Sequence, residues 1–267
     1  MEKQNVFCQL KSKSLWKDSI AAGFAFFGVV SAVLGVIGIS LSDLSDSIWI
    51  VAGITLISFL VSYLFAVAWK WWHIRKSITL KIRKINVTIR QGDLFKENGW
   101  KVIGVDDTFS TSEDDSIISH SSLHGKLIKQ LKENGEIEAF RAATSTDSVV
   151  PLGSAKTYKD LILLSWAHLN KDNEAHIDNA NYERILRKMW QEIGRVYAGK
   201  PIYLPILGDG ITRFDGVSEK PSPSELLKCM LCTLKTSTVQ LKAPVTIVIY
   251  DRINDISLYD LKGFGVL

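Results

Sequence analysis

Three short segments combine glycine with charged or aromatic side chains in a way that suits binding of a phosphorylated ligand. Each segment follows an apolar run that predicts a β-strand: Gly92-Asp93-Leu94, Gly208-Asp209-Gly210-Ile211-Thr212-Arg213-Phe214 and Tyr250-Asp251-Arg252. Glycine lets backbone N–H groups come close to a phosphate, and Arg213 adds positive charge. In sheets with parallel strands, ligands bind in the loops outside the carboxyl ends of the strands. The three segments therefore predict one binding site.

Three other clusters could carry different chemistry, but a structural role is favoured for each. His120 and His124 have a spacing that zinc proteins use, yet no glutamate follows His120 as in a metalloprotease. Cys229 and Cys232 have the spacing of a redox or zinc pair but fall inside an apolar helix, which favours a core position. Glu113-Asp114-Asp115 could hold a cation or form a solvated loop. The sequence thus predicts no metal centre, no cofactor and no catalytic nucleophile.

The motifs, taken in order, resemble those of the macrodomain family, which binds ADP-ribose. Gly92-Asp93-Leu94 is similar to the Gly-Asp-hydrophobic motif that ends the first strand of a macrodomain. Residues 121–128 resemble the loop that opens a helix, and Gly153-Ser154-Ala155 resembles the Gly-x-Ala before the central strand. Residues 208–213 resemble the second phosphate loop. The resemblance covers roughly residues 85–260.

This resemblance implies a role for particular residues. Asp93 is expected to recognise adenine, residues 208–212 to hold the diphosphate, and Phe214 to pack on ribose or base. The ligand-contacting set that it implies is Gly92, Asp93, Leu94, Asp107, Thr108, Phe109, Ser122, Leu123, His124, Gly125, Gly208, Asp209, Gly210, Ile211, Thr212, Arg213, Phe214, Tyr250 and Asp251. The ligand is expected to be an ADP-ribose derivative.

Two departures from the family pattern affect the expected activity. Macrodomains that hydrolyse ADP-ribose esters usually carry Asn-Ala-Ala-Asn after the second strand, whereas residues 105–110 here contain no asparagine. The glycine triplet of the first loop is also missing. Both departures favour a receptor that binds without turnover. Two alternatives stay open: a membrane-anchored hydrolase that removes ADP-ribose from a substrate, and a scaffold with a vestigial pocket.

Alternating strands and helices must position these loops. The predicted strands are 86–90, 101–105, 160–166, 202–207 and 245–250, and the predicted helices are 116–131, 178–198 and 222–234. Ser222 and Glu225 give a capping-box signature, and Gly199 gives a helix stop. This alternation predicts an α/β fold in which a macrodomain-like mixed sheet is sandwiched by helices.

Two apolar stretches precede this domain. Residues 20–41 and 48–69 contain no Asp, Glu, Lys, Arg or His. At about 1.5 Å per residue, each is about 33 Å long and can cross a hydrocarbon core of about 30 Å. A cleaved signal peptide with a single anchor is disfavoured, because its apolar region is only about 7–15 residues long. The sequence therefore predicts a transmembrane hairpin.

Charge fixes the expected orientation of the hairpin. Residues 1–84 hold 10 Lys/Arg and 4 Asp/Glu, whereas residues 85–267 hold 22 Lys/Arg and 24 Asp/Glu. Lysine and arginine flank both spans, and the loop between them carries Asp43 and Asp46. The positive-inside rule then predicts that both termini are cytoplasmic. A slightly acidic soluble part argues against nucleic acid as a partner, and three cysteines are consistent with a reducing compartment.

Small residues form a stripe on each span. Ala21, Ala25, Gly28, Ala32 and Gly35 share one face of the first span, and Ser58, Ser62 and Ala66 share one face of the second. Small residues allow close helix association in lipid. The stripes either pack on each other within one hairpin, which is favoured, or join copies of the protein.

The predicted organisation is a basic N-terminus (1–19), a transmembrane hairpin (20–72), a basic connector (73–84) and a ligand-binding domain (85–267). A two-span hairpin joined to a divergent macrodomain resembles the membrane effectors of Thoeris, a bacterial anti-phage system. The resemblance implies a partner TIR-domain enzyme that converts NAD into a histidine-linked ADP-ribose messenger. It further implies a two-pass protein of the bacterial inner membrane that binds the messenger, forms a homo-oligomer and disrupts the bilayer.

Overall fold

The structure, a computed structural model, describes residues 8–38, 47–74, 76–111, 118–119, 121–146 and 148–265. These residues divide into two compact units. One unit consists of the described residues up to Ile78 together with Asn254–Leu261, and the other consists of Thr79–Ile253 with the described residues after Leu261. A short C-terminal segment therefore groups with the apolar helices rather than with the domain that precedes it in the chain.

The first unit is built on two long apolar helices, α1 (Lys13–Val36) and α2 (Ile48–Ile74). Both are long and apolar enough to cross a membrane, with mean hydropathies of 2.1 and 2.4 over their most apolar windows, which are 11% buried. Helix α1 starts earlier than the predicted span because Ser12 caps it, accepting a hydrogen bond from Leu15 N at 3.2 Å. The turn at residues 42–46 lies outside the described residues.

The two helices bury side chains against each other near the start of α1 and the end of α2, the end of the hairpin that carries the basic residues. Leu15, Ser19 and Gly23 are buried on α1, and Ala66 and Val67 are buried on α2. A Cβ atom added to Gly23 would lie 3.0 Å from the Tyr63 Cα atom. Glycine at this position therefore lets the two backbones approach.

The predicted packing of the two small-residue stripes on each other is wrong for the first helix. Its whole stripe is exposed, and a Cβ added to Gly28 or Gly35 would meet no described atom within 4 Å. Ser58, Ser62 and Ala66 of α2 are half-buried or buried, as the favoured interpretation requires. Aromatic rings fill the α1–α2 contact instead, such as Phe24 against Phe59 with ring centroids 4.5 Å apart.

In the second unit the described residues form one mixed sheet of nine strands in the order β1-β2-β9-β7-β3-β5-β6-β8, with β4 paired to β5. The strands are β1 (Ser77–Ile82), β2 (Ile85–Gln91), β3 (Trp100–Asp106), β4 (Ala155–Tyr158), β5 (Leu161–Leu169), β6 (Ala175–Asp178), β7 (Ile202–Leu204), β8 (Arg213–Asp215) and β9 (Val245–Ile249). The central run from β2 through β9, β7 and β3 to β5 is parallel. The carboxyl ends of these strands therefore meet at one edge.

Four described helices accompany the sheet: α3 (Leu123–Glu133), α4 (Ile137–Thr144), α5 (Tyr182–Val196) and α6 (Pro223–Thr236). The capping box between Ser222 and Glu225 is confirmed at the start of α6. Gly199, just after α5, has a φ of +75°, which suits the stop predicted there. The predicted α/β fold with a mixed sheet and helices is confirmed.

Some elements differ from the prediction. Residues 77–82, which the sequence assigned to a connector, form strand β1, with alternate side chains buried. The helix predicted at 116–131 begins only at Leu123, because Ser122 is its N-cap. Strands β4, β6 and β8 were not predicted, since runs of three or four residues are too short to establish a period.

We expect Gly23→Val to destabilise the hairpin by about 1–3 kcal/mol, because the added methyl groups would press on the backbone at Tyr63. The thermal unfolding midpoint of the full-length protein in detergent measures this effect. Gly28→Val is the matched control and should leave the midpoint unchanged. Equal losses in both variants would contradict the assigned helix face.

Candidate ligand-binding site

A cleft of about 720 Å³ lies at the edge where the parallel strands end. Its walls come from the segment after β2, the segment after β7, the end of β9 and the start of α3, with one residue each from β3 and β5. The described lining residues are Gly92–Phe95, Gly104, Ser121–His124, Lys126, Lys129, Gln130, Glu133, Trp166, Pro205–Thr212 and Val248–Arg252. The volume is in the range of small-molecule and cofactor sites.

The Gly92–Leu94 segment brings a carboxylate to one wall of the cleft. Gly92 N donates to Ile249 O at 3.0 Å, which holds the segment against β9. A Cβ on Gly92 would lie 2.8 Å from Arg90 Nη1 and 3.2 Å from Val248 Cγ1, so a larger residue would displace the end of the Arg90 side chain and press on Val248. Asp93 Oδ1 accepts from Phe95 N at 3.1 Å, and Lys96 Nζ lies 3.9 Å from Asp93 Oδ2. The local turn thus fixes the carboxylate beside the cleft.

The loop Gly208–Thr212 is held from behind by aromatic side chains. Gly208 has a φ of +89°, and a Cβ there would lie 2.8 Å from the ring of Phe214. The Tyr182 hydroxyl donates to Leu207 O at 3.0 Å, and Trp166 Nε1 donates to Thr212 Oγ1 at 3.3 Å. The rings of Trp166, Tyr182 and Phe214 stack edge-on or tilted at centroid distances of 5.6 and 5.5 Å. Gly210, in contrast, faces open space.

The acidic residue in this loop is balanced by two cations. Arg252 Nη1 lies 2.8 Å from Asp209 Oδ1. Lys220 Nζ donates to Asp209 O at 3.0 Å and also to Gly210 O. Burial lowers the pKa of Lys220, and the Asp209 carboxylate opposes that shift. A phosphate near the loop would therefore meet a neutralised carboxylate and the guanidinium of Arg252.

The opposite wall is the N-terminus of α3. The Ser122 side chain accepts from Gly125 N at 2.9 Å, so the helix begins at the cleft. Helix N-termini carry partial positive charge and favour anions. His124, in the first turn, is only 8% exposed. Burial lowers the pKa of His124, although Asp106 at 3.7 Å raises it. The imidazole is therefore biased toward its neutral form.

The structure brings thirteen of the predicted site residues to the cleft and leaves six outside its lining. Those at the cleft are Gly92, Asp93, Leu94, Ser122, Leu123, His124, Gly208, Asp209, Gly210, Ile211, Thr212, Tyr250 and Asp251. Those outside the lining are Asp107, Thr108, Phe109, Gly125, Arg213 and Phe214. Phe214 packs behind the loop rather than in front of it, and Arg213 pairs with Glu174.

The segment after β3 is folded inward. Asp106 is buried and accepts from the backbone N–H groups of Thr108 and Ser110 and from the Thr108 hydroxyl. Asp107 is also buried and pairs with His168. Phe109 is buried in the core formed by β3, β5 and α3. These acids are therefore occupied in holding the turn.

Sequence reasoning missed several residues of the cleft. Trp166 belongs to an apolar strand, where nothing in the sequence separates a core position from a ligand-facing one. Gly104 in β3 lies against it, and a Cβ there would lie 3.1 Å from the Trp166 Cβ. Lys126 lies over the Tyr250 ring at 4.6 Å from its centroid. Arg252 belonged to the third predicted segment but was left out of the ligand-contacting set, although its adjacency to Tyr250 and Asp251 was a usable signal.

The other sequence clusters lie away from the cleft or outside the described residues. Glu113–Asp115 and His120 lie outside the described residues. Among the residues that are described, no group of three His, Cys, Asp or Glu side chains is placed to hold a metal. The predicted core position is wrong for Cys232, which is exposed, while Cys229 is half-buried. Burial raises the pKa of Cys229 to about 11, which disfavours its thiolate.

Comparison with known sequences decides the family. Residues 87–250 match the model of the family described as Thoeris protein ThsA, Macro domain. The chain belongs to this family. A relative, Thoeris protein ThsA from Bacillus amyloliquefaciens (strain Y2), is 30% identical over an alignment of 211 positions, and the match covers 70% of this chain and 70% of the relative. The predicted resemblance to macrodomains and to Thoeris proteins is therefore confirmed.

Solved macrodomain structures from Oceanobacillus iheyensis also resemble the chain. One, with ADP, is 15% identical at a TM-score of 0.42 and covers 70% of this chain and 94% of that one. Another, with MES bound, is 16% identical at the same TM-score and the same coverage of both chains.

We expect acid to destabilise the protein partly through His124. The pKa of His124 is lowered in the folded chain, so below about pH 6.5 the unfolded chain binds more protons and stability falls. His124→Gln should reduce the loss between pH 7.5 and 5.5 by about 1 kcal/mol, or about 2–4 °C in Tm.

His176→Gln is a control with the opposite sign. The hydrogen bond to Asp215 raises the pKa of His176, so its stabilising contribution is present at low pH and is lost as the pH rises through the folded value. Its removal should make the acid loss steeper. Identical pH profiles for wild type and His124→Gln would show that folding does not lower the pKa of His124 and would contradict this assignment.

Proposed function

We propose that this protein is a membrane effector of a Thoeris anti-phage system. Its macrodomain binds an ADP-ribose-derived messenger, the protein assembles, and its two spans disrupt the membrane and stop growth of the infected cell. One combination carries the proposal: a ThsA-family macrodomain with an open cleft lies in the same chain as two apolar helices that expose their large side chains. The partner is expected to be a TIR-domain enzyme that consumes NAD.

The lining of the cleft supports an extended, anionic nucleotide as the ligand. Asp93 on one wall suits an adenine amino group, because a carboxylate accepts hydrogen bonds. The α3 N-terminus and the loop Gly208–Thr212 supply backbone N–H groups for a diphosphate. Lys126, Lys129 and Arg252 add positive charge around the opening. The messenger is expected to be histidine-linked ADP-ribose.

The turn after β3 supports binding without hydrolysis. Asp106 and Asp107 are buried, and both are engaged with groups of the protein itself. Neither lines the cleft, so neither is placed to activate a water there. The competing proposal, a membrane-anchored hydrolase, would depend on His124, which does line the cleft.

The hairpin supports a two-pass protein whose termini and macrodomain are cytoplasmic. Basic residues flank both apolar helices, and the outer faces of these helices expose many large apolar side chains. The exposed α1 stripe offers a surface for close association with further copies, because a Cβ added to Gly28 or Gly35 would meet none of the described atoms within 4 Å. Homo-oligomerisation in the inner membrane is thus the proposed output step.

Calorimetric titration of the full-length protein in detergent with ADP-ribose and with histidine-linked ADP-ribose tests ligand binding. Gly210→Val should weaken binding at least tenfold, because the side chain would enter the open space before the loop without touching protein atoms. Gly263→Val is a matched control, since that position is also open and lies outside the cleft.

Two results would contradict this assignment. Equal affinity in wild type and Gly210→Val would show that the loop Gly208–Thr212 does not contact the ligand. Cleavage of the ligand, measured by chromatography after the titration, would favour the hydrolase.

The double variant Gly28→Leu/Gly35→Leu should bind the messenger normally but give at least fivefold less messenger-dependent leakage from liposomes, because bulky side chains separate the helices. Cross-linking in the same liposomes measures assembly directly. Val29→Leu/Val33→Leu, at exposed positions beside the stripe, is the control and should behave as wild type. Wild-type leakage in the glycine variant would show that assembly uses another face.

A further inference from the structure

The C-terminal segment Asn254–Leu261 belongs to the same compact unit as the apolar hairpin. The segment comes almost directly after a lining residue of the ligand cleft. Arg252 lines the cleft, and Asn254 is two positions later in the chain. The segment is thus joined covalently to a lining residue of the cleft at one end and belongs to the unit of the hairpin.

Tyr259 is the main contact of the segment with the hairpin. Its side chain is 2% exposed and packs in a cluster with Leu15 of α1 and Val67 of α2. Its hydroxyl donates to Asp18 Oδ2 at 2.8 Å. One residue of the segment therefore contacts both helices at the end of the hairpin that carries the basic residues.

Asp260 provides a second contact with α1. Its Oδ1 atom accepts hydrogen bonds from Ser12 Oγ at 2.5 Å and from Ser14 Oγ at 2.9 Å. Ser12 is also the N-cap of α1. The segment therefore holds the start of α1 and, through Tyr259, the position of α1 against α2.

The cleft and this contact are close along the chain. Consecutive Cα atoms are about 3.8 Å apart, so only a few residues of chain are available to absorb movement between Arg252 and Tyr259. Ile253 and Ile256 between them are buried, which limits slack further. A ligand that displaces Tyr250–Arg252 can therefore act on the segment through this link and its buried residues.

We propose that Asn254–Leu261 is an autoinhibitory strap that holds the base of the hairpin until a ligand in the cleft releases it. This inference rests on the proposed function for its trigger, but the restraint on the hairpin is independent of it. The strap consists of a few hydrogen bonds and one buried ring. A ligand can open it if it binds the released form better than the strapped form.

Tyr259→Phe tests the strap in the absence of ligand. The substitution keeps the ring against Leu15 and Val67 and removes only the hydroxyl that bonds to Asp18. We expect dye leakage from liposomes that contain the full-length protein to rise roughly two- to tenfold, the shift that one hydrogen bond gives. Asp18→Asn targets the other partner of the bond and should act in the same direction.

Tyr63→Phe is the matched control. Its ring packs on the same cluster as Tyr259, but the hydroxyl that the substitution removes donates to Trp16 O at 3.1 Å, within the hairpin itself. It should leave ligand-free leakage at the wild-type value. Wild-type leakage in both Tyr259→Phe and Asp18→Asn would overturn the strap, and so would a fall in leakage.

A cleavable cross-link between the segment and α1 distinguishes release of the segment from misfolding as the cause of leakage. Ser14→Cys and Asp260→Cys are introduced with Tyr259→Phe in a chain whose Cys8, Cys229 and Cys232 are serine. A short cleavable thiol cross-linker should return leakage to the wild-type value, and its cleavage should restore the elevated leakage. Leakage that persists in the cross-linked protein would overturn the proposal.

ADP-ribose and its histidine-linked derivative separate the two proposals. If neither ligand binds the wild-type protein, the proposed function fails. The ligand-free leakage of Tyr259→Phe still tests whether the strap restrains the hairpin. If the ligand binds and triggers leakage but Tyr259→Phe and Asp18→Asn match wild type without ligand, the proposed function stands and the strap fails.

Discussion

The parallel pairing of the central strands is the constraint on which the ligand cleft depends. Because β2, β9, β7, β3 and β5 run in the same direction, their carboxyl ends reach one edge of the sheet. Segments that are far apart in the chain, such as Gly92–Phe95 and Val248–Arg252, therefore line the same cleft. The N-terminus of α3 closes the other side, where its backbone dipole favours an anion. The convergence of these segments and the position of the cleft thus follow from one topology.

A different constraint shapes the apolar helices. In hydrocarbon every backbone polar group needs an internal partner, which a helix provides. Association between such helices depends on packing rather than on water release. On α1 this produces two distinct faces: Leu15, Ser19 and Gly23 pack within the hairpin, while the stripe that contains Gly28 and Gly35 is exposed. The same helix can then hold its own hairpin together and still present a surface to neighbours.

The long helices and strands and most of the cleft loops could be predicted from the sequence, but not which aromatic side chains face the cleft and which face the core. The apolar spacing in α5 and the Ser222–Glu225 capping box are local signals, so they were read correctly. Phe214 was expected at the ligand and Trp166 was given no role, because only tertiary packing decides that the first lies behind the loop and the second at the cleft. The packing of Asn254–Leu261 with the hairpin depends on contacts across some 240 residues, such as Asp18 with Tyr259, which no local pattern encodes.

The aromatic support behind Gly208–Thr212 has a consequence for substitutions at the cleft. Trp166, Tyr182 and Phe214 hold the backbone of the loop through ring packing and through hydrogen bonds to Leu207 and Thr212. The shape of the loop therefore rests on these contacts rather than on the side chain of Ile211, which is exposed. Such a division separates the residues that hold the loop backbone from those that line the open side of the cleft. Substitutions at the outer positions would then change the surface of the cleft while the inner aromatic residues keep the backbone of the loop in place.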